Sequence, residues 1–140
     1  MRSTADHYTN LLAPLYSWMV GGVDAALARG EAELDSLDLP PRGTAIAVDL
    51  GAGFGMHSIP LARRGFSVVA VDSNAELLRE LQANAGTLPI RAVEADLLDF
   101  PQHMAGSPEA ILCMGDTLTH LSSKPAIESF FSNVARALAY

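Results

Sequence analysis

Asp49, Gly51, Gly53 and Gly55 recur at every second position, and a second carboxylate, Asp72, follows 21 positions beyond Gly51. Glycines in that rhythm let a backbone turn tightly and come close to a ligand, because no Cβ stands in the way. An acid about 20 residues after such a turn, at the end of the next strand, is placed to accept hydrogen bonds from the hydroxyls of a nucleotide sugar. The chemistry of this set is therefore holding a nucleotide-like molecule. A dinucleotide fingerprint would space its glycines G-x-G-x-x-G and needs a third glycine at position 56, where this chain has Met56.

The turn needs a strand before it and a helix after it. Residues 45–48 form an apolar run whose β-branched members suit a strand buried on both faces. Met56, Ile59, Pro60, Leu61 and Ala62 follow at roughly helical spacing, and Gly65 after Arg63 and Arg64 is a helix stop. Residues 67–71 are a second apolar run closed by Asp72. Ser73 and Asn74 are placed to cap a helix over 75–85, with Leu77, Leu78 and Leu81 inward and Gly86 at its end. Residues 90–95 read as a third strand, 110–114 as a fourth, and 124–140 as a last helix with Pro125 in its first turn. Upstream, 6–19 and 24–39 carry helical stripes, the first broken by Pro14 and the second by Gly30, and residues 40–43, PPRG, separate them from the strands. The pattern predicts one α/β domain over 1–140, with a helical cap at 1–40 and a parallel-sheet core at 44–140.

The D-x-G-x-G-x-G motif resembles the first motif of the class I S-adenosylmethionine (SAM)-dependent methyltransferases. The resemblance implies a Rossmann-like three-layer sandwich with strands in the order 3-2-1-4. It implies that Asp49, Gly51, Ala52, Gly53 and Gly55 line the methionine side of SAM, and that Asp72, with Ser73 beside it, holds the ribose. Asp96 followed by Leu97 matches the acid past the third strand that meets the adenine amino group; otherwise Asp96 and Asp99 are ordinary turn acids. Met114 and Gly115 match the loop after the fourth strand that touches methionine, and Asp116, Thr117 and His120 are its candidates for facing the acceptor. His120 is the candidate general base, since histidine titrates near neutrality; the plainer reading is a histidine that caps a turn or faces solvent. Tyr8-x-x-Leu11-x-Ala13-x-x-Tyr16, followed by Gly21-Gly22, is similar to a leader that folds over the SAM pocket, with Tyr8 or Tyr16 touching SAM or the acceptor. The plainer alternative is an amphipathic helix covering the sheet. The family core has seven strands, and this sequence supplies four, so a truncated domain or a natural short form is expected, with a second copy covering the fourth-strand edge.

Composition narrows the partners. The formal charge of −7 argues against a nucleic-acid backbone as main partner. The single cysteine, Cys113, allows no internal disulfide and fits a cytoplasmic setting. No zinc-ligand spacing links it to His7, His57, His103 or His120, so no metal is expected. No uninterrupted apolar stretch reaches a membrane span. The leading expectation is methyl transfer from SAM to an oxygen, nitrogen or carbon of a small molecule, leaving S-adenosylhomocysteine (SAH). The alternatives are a SAM- or SAH-binding module without turnover and, more weakly, an NAD-dependent oxidoreductase.

Overall fold

The computed structural model describes residues 15–138. Four parallel strands, β1 (Ile46–Leu50), β2 (Ser67–Asp72), β3 (Ile90–Glu94) and β4 (Ala110–Cys113), lie in the order β3-β2-β1-β4. The register aligns Leu50 with Val71 and Cys113, and Asp72 with Glu94, so all four strands end at one rim. The strand order reverses between β1 and β4, and ligands of open α/β sheets bind above such a switch.

Alternation along the strands sorts side chains into two cores. Ala47, Val68 and Ala70 face α2 (Val23–Leu37), α3 (Ser58–Arg63) and α4 (Ala75–Ala85), meeting Leu27, Leu34, Leu61, Leu78 and Leu81. The small alanines let that helical layer sit close to the sheet. Val48, Leu50, Val69 and Val71 face the other way, toward Phe100 of the 3-10 segment Leu97–His103 and Phe130 of α5 (Lys124–Ala137). Helices thus cover both faces, the expected three-layer arrangement.

Three departures from the sequence reading have a local structural cause. β1 starts at Ile46, because Ala45 has φ 53 and turns the chain into the strand. The helix after the glycine turn starts only at Ser58, because the residues before it are still in the turn. Gly30 does not interrupt the second cap helix: α2 runs through it, and a Cβ there would lie 2.0 Å from the Met56 carbonyl oxygen. The glycine is present because two backbones meet. α2 is further tied to the core by Arg64, whose Nη2 lies 3.0 Å from Glu31 Oε1 and 2.6 Å from Asp35 Oδ1.

Ahead of α2, the short helix α1 (Tyr16–Met19) is joined to it by Gly21 and Gly22, both at positive φ near 90°. Only residues 15–19 of the stripe over 6–19 fall in the described part, and Tyr8 lies outside it. No described helix is long and apolar enough to cross a membrane.

Candidate functional site

The open end of β1 carries the glycine turn. Gly51, Gly53 and Gly55 all have positive φ (75°, 55° and 105°), a conformation that strains any residue with a Cβ. The N–H groups of Gly51 and Ala52 both donate to the Val71 carbonyl, at 2.8 and 3.0 Å, so the turn folds back over the end of β2. There it meets Asp72. The Gly53 N–H donates to Asp72 Oδ2 at 2.8 Å, and the Asn74 N–H donates to Oδ1 at 2.8 Å. Burial pushes the Asp72 carboxyl above the usual carboxylate range; hydrogen bonds from the Asn74, Gly53 and Ser73 backbones, and the charge of His120, pull it back.

Asn74, not Ser73, caps α4. Its Oδ1 accepts from the N–H groups of Glu76 and Leu77, both at 3.0 Å, while Ser73 stays exposed beside Asp72. Asn74→Ala is expected to lower stability by about 1 kcal/mol, read as a lower denaturant midpoint, with Asn74→Ser keeping most of it.

Asp49 lies deeper than its motif suggests. It is 2% exposed, and Ser58 Oγ donates to its Oδ2 at 2.6 Å. Burial raises its proton affinity, and the Ser58 hydrogen bond and the charge of His57 oppose that rise. Ser58, His57 and Glu33 were not picked out by the motif, since a serine and a histidine in an otherwise apolar helix start carry no spacing signal of their own.

The loop after β4 comes to the same place. Gly115 has φ 69, and the Thr117 hydroxyl donates to the Met114 carbonyl at 2.9 Å. The Thr117 side chain rests against Gly51: a Cβ on Gly51 would lie 2.4 Å from Thr117 Oγ1. Thr117, a candidate for acceptor contact, is thus packed on the turn in this structure. Asp116, just ahead of the 3-10 segment Thr117–His120, and His120 at its end are exposed. From α1, the Tyr16 ring lies 5.9 Å from that of Phe54 in the turn, tilted at 60°. Burial, then Asp116, pushes the Tyr16 hydroxyl's proton affinity up, against the pull of Arg29. Tyr16, Asp72, Asp116 and His120 therefore share one electrostatic neighbourhood around the open end of the turn.

Asp96 stands between β3 and the 3-10 segment Leu97–His103. It caps the 3-10 segment, its Oδ1 accepting from the Leu98 N–H at 2.8 Å, with Leu97 half-buried behind it. Burial, then the Asp49 charge, pushes the Cys113 thiol up to about 11, which disfavours the thiolate. Among the described residues no group of three or more His, Cys, Asp or Glu side chains is arranged to hold a metal.

Residues 47–140 match the model of a methyltransferase domain. The chain is 31% identical over 127 residues to a glycine/sarcosine N-methyltransferase of Halorhodospira halochloris, covering 83% of this chain and 45% of that protein. It is 32% identical over 101 residues to a glycine/sarcosine N-methyltransferase of Aphanothece halophytica, covering 71% and 38%. The chain thus spans less than half the length of these relatives. The fold is similar to that of the magnesium protoporphyrin IX methyltransferase of Synechocystis with bound SAM, with a TM-score of 0.67 at 23% identity, covering 95% of this chain and 69% of that one.

Proposed function

The chain belongs to the class I SAM-dependent methyltransferases, and from that membership we propose that it binds SAM over the β1–β4 switch and serves methyl transfer to a small molecule. The observation that carries this reading is the Gly53–Asp72 hydrogen bond, which holds a glycine turn and a strand-end acid in one fixed frame. In that frame the turn's backbone faces the methionine part of the cofactor, with Met114 and Gly115 alongside. Asp72 takes the ribose hydroxyls, Asp96 and Leu97 meet the adenine, and Tyr16 closes the methionine end.

The transfer itself asks little of the side chains. A lone pair on the acceptor attacks the sulfonium methyl in line, the carbon–sulfur bond breaks, and its electron pair stays on sulfur as neutral SAH. Orientation and exclusion of water supply most of the acceleration. An amine is the acceptor favoured by the likeness to glycine/sarcosine N-methyltransferases. Asp116 and Thr117 would face that acceptor, and His120 would take the proton it loses on methylation. The lone Cys113 supports a cytoplasmic setting.

Isothermal titration tests the reading. Saturable one-to-one binding of SAM and SAH, with no heat from NADH, is the expected result, and absence of binding by both overturns it. The alternative reading is a SAM- or SAH-binding module without turnover. SAM binding without methyl transfer to glycine, sarcosine or other small amines would select it. On its outer side β4 has no strand partner among the described residues, and a second copy is the occupant proposed for that edge. Light scattering that finds only monomer at high concentration removes that part of the proposal.

A further inference from the structure

Two loops leave the sheet side by side at the strand-order switch, and one side chain touches both. Leu50 is in register with Cys113, so Gly51 and Met114 begin their loops from neighbouring strands. Loops at such a switch diverge to opposite sides of the sheet and open a crevice between them. Thr117 bridges the pair. Its hydroxyl donates to the Met114 carbonyl at 2.9 Å. The same side chain rests on Gly51, where an added Cβ would lie 2.5 Å from Thr117 Cγ2 and 3.0 Å from its Cβ, with the hydroxyl oxygen nearer still. Glycine at 51 therefore admits this contact as well as the turn's φ of 75°. We propose that Thr117 is a positioning residue for the cofactor site, bridging Gly51 and Met114 so that the two backbone walls receiving the methionine part keep a fixed spacing.

The other ties of the turn lead elsewhere. The N–H groups of Gly51 and Ala52 hold it to Val71, and that of Gly53 holds it to Asp72. His57, at its far end, has Nε2 2.7 Å from Glu33 Oε2 on α2. Among the described residues, the hydrogen bonds leaving the turn thus run to β2 or to the cap, and Thr117 supplies the link to the loop after β4. That loop is anchored on its own side. Leu118 and Leu121 pack against the core that contains Phe130, and the Thr119 N–H donates to the Asp116 carbonyl at 2.9 Å. A β-branched side chain suits the task, because its χ1 is stiff and one rotamer serves both contacts. In-line transfer depends on a sulfonium held in one orientation, which a fixed spacing of the walls provides. The inference rests on the cofactor reading proposed above for its effect on binding, but not for the link between the loops. It gives Thr117 a task on the cofactor side besides facing the acceptor.

The link and its consequence are tested separately. In the ligand-free chain, hydrogen exchange is followed at the Gly51 and Ala52 amides, both bonded to the Val71 carbonyl. The Leu77 amide, bonded to Asn74 Oδ1, is the internal reference. In Thr117→Ala, Gly51 and Ala52 are expected to exchange about three- to tenfold faster, as for one lost hydrogen bond, with Leu77 unchanged. Unchanged rates at Gly51 and Ala52, or an equal rise at all three amides, overturn the proposal. SAH titration of a conservative pair then reads the consequence. Thr117→Ser keeps the hydroxyl and is expected to bind within about twofold of the native chain. Thr117→Val keeps the shape without the donor and is expected to bind about three- to tenfold more weakly. A Thr117→Val chain that binds SAH like the native one, with only the KM for an amine raised, would make Thr117 an acceptor contact alone and also overturn it. Failure of the native chain to bind SAH would sink the functional reading while the exchange rates still decide the link.

Discussion

Asp72→Ala is expected to weaken SAH binding by about 30- to 1,000-fold. A carboxylate holding two sugar hydroxyls makes charge-assisted hydrogen bonds, each contributing about 1.5–3 kcal/mol. Allowing for water replacing part of that, a loss of about 2–4 kcal/mol corresponds to the stated range. The same substitution strands the Gly53 and Asn74 N–H groups, so the frame loosens as well. Asp72→Asn separates the two contributions: it keeps the shape and one acceptor oxygen but puts an amide nitrogen against one of the two N–H donors. It should bind more weakly than the native chain while losing less stability than Asp72→Ala. A change of less than about threefold in Asp72→Ala would remove Asp72 from the site.

The pH dependence has a definite sign. Burial raises the proton affinity of Asp72 in the folded chain. Any binding that needs its ionised form is therefore complete well above the raised midpoint and declines as pH falls through it. The decline begins at a higher pH than for an ordinary aspartate. For folding the sign is opposite: because the acid is easier to protonate in the folded state, its contribution is most favourable below the unfolded midpoint and is lost as pH rises through the folded one.

The second large effect concerns Gly30. In an ordinary helix, glycine to alanine stabilises by about 1 kcal/mol. Here the new Cβ would lie 2.0 Å from the Met56 carbonyl oxygen and 3.0 Å from the Met56 carbonyl carbon, and a backbone group has no rotamer to escape into. α2 must then move away from the start of α3, stretching the Glu33–His57 and Arg64 contacts. Overpacking of this kind costs about 3 kcal/mol, so a net loss near 2 kcal/mol remains after the helix gain. Thermal unfolding should drop by roughly 5–10 °C. A variant as stable as the native chain would show that α2 is not pressed against the core as described.

Local chemistry made the strand–turn–helix–strand unit legible. β-branched runs, glycines at alternate positions and a closing acid each act within a few residues of themselves, and β1, β2 and the turn lie close to where they were expected. Asn74 was legible as a cap for the same reason. What was not legible depends on which distant elements touch. Gly30 looks like an interruption in one dimension and is a crossing point in three. Asp49 reads as a ligand contact from its motif, yet the structure buries it under the turn with Ser58 as its donor. Thr117 reads as a candidate for facing the acceptor, and no spacing announces that its side chain rests on Gly51. Nothing in the spacing from Glu33 to His57 announces that a cap helix reaches the foot of the glycine turn.

The bond from Gly53 to Asp72 is made within the chain itself, and so are the two from Gly51 and Ala52 to Val71. The cradle therefore does not have to be ordered at the moment of encounter, and little backbone entropy is lost when a molecule settles into it. Related adenosyl compounds would meet the same preformed surface and arrive at similar rates. Their differences would be expressed in how long each one stays.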